Sequence, residues 1–138
     1  MATKEDVINA LNTALSEELA AIIQYMYHHV MATGRESPAI ADMFRKFAMD
    51  EMKHAYWLAE RVDFLGGVPT TKVADVKLSK DLTQMLQDNR QGELEAGVMY
   101  KGYMKLAREA DDHVTAHELL EILEDEEGHL RDLGAVLG

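Results

Sequence analysis

Two short stretches of this chain carry the same reactive pattern. Residues 50–54 read Asp-Glu-Met-Lys-His, and residues 125–129 read Asp-Glu-Glu-Gly-His. In each, a glutamate and a histidine stand three apart: Glu51 with His54, and Glu126 with His129. On a helix that spacing puts a carboxylate and an imidazole on one face. The offset between the stretches is 75 residues, and the same offset carries Glu18 onto Glu93 and Tyr25 onto Tyr100. Glu17 would fall on Gly92 and Glu95 back on Ala20, so among neighbouring acids only Glu18 and Glu93 keep the register. One Glu-x-x-His is common in an acidic sequence. Two copies in register with two more glutamates and two tyrosines are a repeat of chemistry.

The elements that must position these groups are helices. Ala, Leu, Met and Glu dominate, and proline occurs only at Pro38 and Pro69. The first helix is expected from about residue 4 to 32, with Leu11, Leu15, Glu18, Ile22 and Tyr25 on its core stripe and Gly34 breaking it. Ser37-Pro38 supplies an N-cap and an N1 proline for the second, which ends near Gly66-Gly67. Its core stripe holds Ile40, Phe44, Phe47, Leu58, Val62 and Leu65, with Glu51 and His54 where aliphatic residues would be expected. Residues 66–79 show no sustained period. Ser79 is expected to cap a third helix to about 109, and Asp111-Asp112 to turn into a fourth that runs to about 135. Two short turns and one long connection predict an all-α four-helix bundle, built of two antiparallel hairpins joined by a long crossover.

Each of Glu18, Glu51, Glu93 and Glu126 lies about 16 residues from its hairpin turn, roughly 25 Å along the helix. If the halves pack about a pseudo-twofold axis, all six acids and histidines meet mid-bundle. Four buried carboxylates together would repel at a cost folding cannot supply. Two divalent cations supply the matching charge. Oxygen and imidazole donors without sulfur suit iron or manganese better than copper(I) or a structural zinc site, with zinc occupancy left open.

The 138-residue length fits one domain with a real core, and no cysteine is present to form disulfides or thiolate sites. The formal net charge of −11 disfavours nucleic acid and anionic lipid and attracts cations. No apolar run has the length of a signal peptide or a membrane span, so a cytoplasmic protein is expected.

The segments VINALNTALSEELAAIIQYMYHH, DEMKHA and EILEDEEGHL resemble the first, second and fourth helices of bacterioferritin, a ferritin-like di-iron family. The resemblance covers essentially the whole chain. It implies a ferroxidase centre of two iron ions, where Fe(II) is oxidised by dioxygen or hydrogen peroxide for storage or detoxification. Glu18, Glu51, His54, Glu93, Glu126 and His129 would be the ligands, with Glu51 and Glu126 bridging. Tyr25 and Tyr100 would hydrogen-bond ligand carboxylates or donate electrons; the plainer reading is a pair of core tyrosines. Asp50 and Asp125 would orient the ligand histidines, or be solvated helix acids. His28, His29, His113 and His117 have no repeat partner and read as surface or packing residues.

A second apolar stripe on the first helix (Leu19, Ile23, Met26, Val30), with Met49 and Tyr56 on the second, predicts a homo-oligomer, at least a dimer. The resemblance implies haem b shared across that seam through Met52; the alternative is a methionine packing a haem-free seam. Bacterioferritin continues past the fourth helix with a short fifth helix that helps form its cage, and such a tail is not expected here. Lys46 stands where the family often has a histidine linked to inner-surface iron. Two other functions fit less of the pattern. One is a small rubrerythrin-like di-iron peroxidase or oxidase that stores no iron. The other is a non-enzymatic interaction bundle, which leaves the register of six polar groups unexplained.

Overall fold

A computed structural model describes residues 1–138 as four helices without a strand. They are α1 (Lys4–Met31), α2 (Ser37–Phe64), α3 (Leu82–Glu109) and α4 (His113–Leu137). Each start has a local cause. Thr3 and Asp6 form a reciprocal capping box on α1. Asp112 caps α4 through Thr115 N and also receives Arg61 Nη2 at 3.0 Å, which ties the end of α2 to the start of α4. Asp111 takes the left-handed conformation (φ 62°) that turns the chain between α3 and α4.

Two predicted caps are corrected. Ser37 is the first residue of α2 rather than its cap. The turn from Gly34 (φ 111°) closes on itself, and Ser37 uses both its N–H and its hydroxyl on the Gly34 carbonyl. Ser79 does not cap α3. Its N–H goes to His28 and its Oγ receives the Asp81 N–H, and Asp81 caps the helix by accepting from Gln84 N.

Residues 65–81 form the crossover, a strap laid along α1. Asn12 bonds Val68 O and Thr70 N, Ala74 N reaches Ser16 O, Lys77 N reaches Gln24, and Ser79 N reaches His28. At the strap's root, a side chain on Gly67 would press to 2.7 Å from Ile8 Cγ2, so glycine permits the close approach. The strap thus returns the chain to the other end of the bundle, where α3 begins. The main packing is α1 on α2 and α3 on α4, and the hairpins meet through α1–α3 and α2–α4.

The apolar core comes in two pieces. One joins Leu11, Leu15, Leu58, Tyr100, Leu119 and Ile122, among others, at the end where α1 begins. The other joins Tyr25, Phe44, Phe47, Met85, Leu86 and Leu133 at the opposite end. The acids and histidines lie between them. No helix is long and apolar enough to cross a membrane.

Candidate metal centre

The structure brings all six predicted ligands together. Glu18, Glu51, His54, Glu93, Glu126 and His129 are each 1–6% exposed. They form two overlapping sets: Glu18, Glu51, His54 and Glu126, and Glu51, Glu93, Glu126 and His129. Within each set the potential ligand atoms lie within 4.8 Å of one another. Glu51 and Glu126 belong to both, which is the position a bridge needs.

The hairpins brace each other crosswise. Tyr25 on α1 donates to Glu93 Oε1 at 2.7 Å, and Tyr100 on α3 donates to Glu18 Oε1 at 2.8 Å. His54 Nε2 meets Asp125 Oδ2 at 2.8 Å, and His129 Nε2 meets Asp50 Oδ2 at 2.9 Å. An acid at Nε2 fixes the proton there and leaves Nδ1 as the nitrogen turned to the centre. His54 Nδ1 lies 3.1 Å from Glu18 and 3.2 Å from Glu51; His129 Nδ1 lies 3.3 Å from Glu93 and 3.4 Å from Glu126.

Without cations the cluster balances its charge with protons. Burial, with the charge of Glu126, pushes Glu18 up to about 8 and Glu93 up to about 7. Burial and the surrounding carboxylates hold Glu51 well above the usual carboxylate range. Burial also pushes Glu126 up, but the facing His129 imidazole, the neighbouring Glu51 carboxyl and the charge of His54 outweigh it and leave Glu126 the anion of the set. Burial pushes both histidines down, yet their carboxylate partners win: His54 rises to about 9 and His129 to about 11. Glu51 Oε1, Glu93 Oε2 and Glu126 Oε1 are still buried without a hydrogen-bond partner. Orphaned carboxylate oxygens facing imidazole Nδ1 atoms are what divalent metals would satisfy, so the donor set fits two such ions.

Access runs from one side. A cavity of about 300 Å³ between α1, α3 and the strap has Glu17, Asp75 and Glu95 outermost and Glu18, Glu51, Glu93 and Glu126 at its floor. Its outer carboxylates attract cations into the site.

Met52 lies elsewhere. It is 38% exposed, on an outer face with Met26, Val30, Met49 and Tyr56, all more than half exposed. Of the histidines without a repeat partner, His28 is fully buried, His29 Nδ1 meets Ala41 O at 2.7 Å, and His113 and His117 pair with surface acids. Sequence reasoning missed Asn89 and Gln24, which join His28 in a buried polar clamp beside Glu93. The available signal was Asn89's spacing, three after Leu86 and four before Glu93, on the core face of α3.

Comparison with known proteins agrees with this geometry. Residues 8–138 match the Ferritin-like domain family. A bacterioferritin of Desulfovibrio desulfuricans is 34% identical over 92% of this chain and 72% of its own length. That of Brucella melitensis is 31% identical over 90% and 78%. Among solved structures, a ferritin-like di-iron carboxylate protein of Bacillus anthracis superposes with a TM-score of 0.94 at 30% identity, covering 98% of this chain and 97% of that one. The Desulfovibrio desulfuricans bacterioferritin, whose structure describes a di-iron site, superposes with a TM-score of 0.92 at 32% identity, covering 97% and 79%. This chain belongs to the ferritin-like family, among the bacterioferritins and their di-iron carboxylate relatives.

Proposed function

We propose that this chain is a ferroxidase of the bacterioferritin type. Two Fe(II) ions are its substrate, held by Glu18, Glu51, His54, Glu93, Glu126 and His129, with Glu51 and Glu126 bridging. Dioxygen or hydrogen peroxide takes the electrons, and the Fe(III) formed goes to storage or is rendered harmless. With peroxide, two Fe(II), one H2O2 and two protons give two Fe(III) and two waters. The observation that carries this reading is the pair of overlapping four-residue ligand sets sharing Glu51 and Glu126. An isolated structural site would need only one set.

The residues prepare the site in three ways. The outer acids of the cavity concentrate cations. Asp50 and Asp125 hold the imidazoles with Nδ1 inward. Tyr25 and Tyr100 each fix one carboxylate oxygen, and the contact of Tyr25 with Glu93 supports a role for it as an electron donor to the site. Cation uptake displaces the protons now on Glu18, Glu51 and the two histidines.

The test is Fe(II) oxidation in air. The wild type is expected to oxidise Fe(II) well above the buffer rate, and Glu126→Ala, which removes one bridge, to fall to that rate. An unchanged rate in Glu126→Ala overturns the assignment.

The exposed face around Met52 supports a homodimer with haem held by Met52. Native mass is expected to give at least a dimer, and Met52→Leu to lose a haem Soret band present in the wild type. Wild type purified colourless from haem-replete cells overturns the haem reading.

A further inference from the structure

One buried donor beside the centre has no task in this scheme. Asn89 lies one turn before Glu93 on α3, is 2% exposed, and lines the same cavity. The strap fixes which way its amide faces. The backbone N–H groups of Lys77 and Ser79 can only donate, so Gln24 Oε1 and His28 Nε2 accept, at 2.8 and 3.1 Å. Gln24 Nε2 is then a donor, and His28 carries its proton on Nδ1. Both reach one atom of Asn89, at 2.8 and 3.2 Å, and two donors require that atom to be the carbonyl Oδ1. Nδ2 is the remaining atom, buried and without a partner. Flipping the amide would set its hydrogens against two donors, so the clamp keeps Nδ2 where it is.

A fixed, unpartnered N–H2 calls for an acceptor. Beyond the ligand set, four carboxylates (Glu17, Asp75, Asp88 and Glu95) and one lysine line the cavity, so its mouth disfavours an anion such as superoxide or azide. Dioxygen is neutral but a poor acceptor. Hydrogen peroxide is neutral, small and a good acceptor through either oxygen. We propose that Asn89 Nδ2 binds hydrogen peroxide in the cavity between α1 and α3, so that at low oxidant concentration peroxide is used in preference to dioxygen. The preference rests on the ferroxidase reading; the binding event does not.

Two measurements test it. In the first, the full-length protein is 15N-labelled and loaded with Zn(II), which peroxide does not oxidise. Titration with H2O2 is expected to move the Asn89 side-chain amide resonances saturably. Unmoved resonances would leave water as the partner and overturn the proposal. In the second, protein loaded anaerobically with Fe(II) is mixed with peroxide or with dioxygen. Asn89→Asp keeps the acceptor for Gln24 and His28, replaces the donor with a second carboxylate oxygen, and adds a charge that acts on both neutral oxidants alike. It is expected to raise the peroxide concentration for half-maximal rate about fivefold, the scale of one neutral hydrogen bond. Its maximal rate and its dioxygen rate are expected to stay within twofold of the wild type. An unchanged half-saturation, or equal losses with both oxidants, would reduce Asn89 to a structural role. The Zn(II) titration needs no variant, so a variant that fails to fold does not block the decision. Wild type that oxidises Fe(II) with neither oxidant overturns the ferroxidase reading, while the titration still decides whether peroxide binds.

Discussion

The two ends of the bundle present the same ligands to the centre from different surroundings. Applying the 75-residue offset to the packing residues shows the difference: Phe47 corresponds to Ile122, Phe44 to Leu119, His28 to Tyr103 and Asn89 to Ala14. His129 therefore stacks on Phe47, with ring centroids 4.0 Å apart, whereas the equivalent neighbour of His54 is aliphatic. The end with Tyr25, Phe44 and Phe47 also holds the buried Asn89 clamp and the strap's last anchors. The other end is mostly aliphatic. The imidazoles differ as well, through the carboxylate partners that overcome burial: Glu126 and Glu93 raise His129 to about 11, and Glu18, Glu126 and Asp125 raise His54 to about 9. A duplicated set of acids and histidines thus sits in two unequal surroundings, and the packing difference lives in the residues that are not duplicated.

The comparison breaks most completely at the ligands themselves. Glu51 is common to both sets and Glu18 belongs to one. Glu51→Ala is expected to lose both tight equivalents in a Co(II) titration followed by absorbance, and Glu18→Ala only one. Equal losses would mean the two positions do not divide as drawn.

The next largest effect is on stability against pH. Folded His54 and His129 bind their protons more tightly than unfolded histidine, so that stabilisation is complete below about pH 6.5. It is lost as pH rises through about 9 and about 11. Glu18, raised from 4.5 to about 8, acts in the same direction across that interval. The metal-free protein is expected to melt at progressively lower temperature from pH 6 to 9, and Mn(II) to reverse the trend. At pH 7 Glu18, His54 and His129 are protonated and Glu93 is about half so, with Glu51 raised as well, so two metals should release at least three protons, measurable in weak buffer. A melting temperature that rises with pH would contradict the proton balance. Smaller again is the orienting effect of the acids. Asp50→Asn and Asp125→Asn are each expected to weaken metal binding by about 10- to 100-fold. Asp50, 39% exposed against 57% for Asp125, should show the greater loss.

The repeat explains how much of this was legible. Anything present twice announces itself. The six buried acids and histidines, the two tyrosines and the two helix acids stand out by offset alone, and the stripes around them placed the helices to within a few residues. What stands only once was passed over. Asn89, Gln24 and His28 have no partner at the offset, so their clamp reads as ordinary polarity until the strap is seen to supply its two backbone donors. The Ser79 cap was misplaced for the same reason. Serine is a good cap by propensity, but its N–H is held by a histidine 51 positions away and its Oγ by the Asp81 N–H, which leaves Asp81 to cap the helix. Such contacts between strap and helix depend on the path of a segment that has no period to read.

The finest test concerns Phe47, because its ring stacks directly on His129 while its counterpart at the offset is Ile122. Phe47→Leu keeps an apolar side chain but removes the stacked ring, and is expected to cost about 1.5 kcal/mol of stability. Ile122→Leu, at the equivalent place beside the other histidine, conserves volume and should cost less. The informative readout is the pair of histidines. The His129 ring resonances should shift and broaden in Phe47→Leu while those of His54 hold, because Phe47 stacks on His129 and the two histidines belong to different sets of four. If both histidines respond together, the six residues behave as one rigid unit, and the differences between the ends do not reach the metal positions. If only His129 responds, each end tunes its own imidazole, and the unequal halves can hold two metals with different affinity.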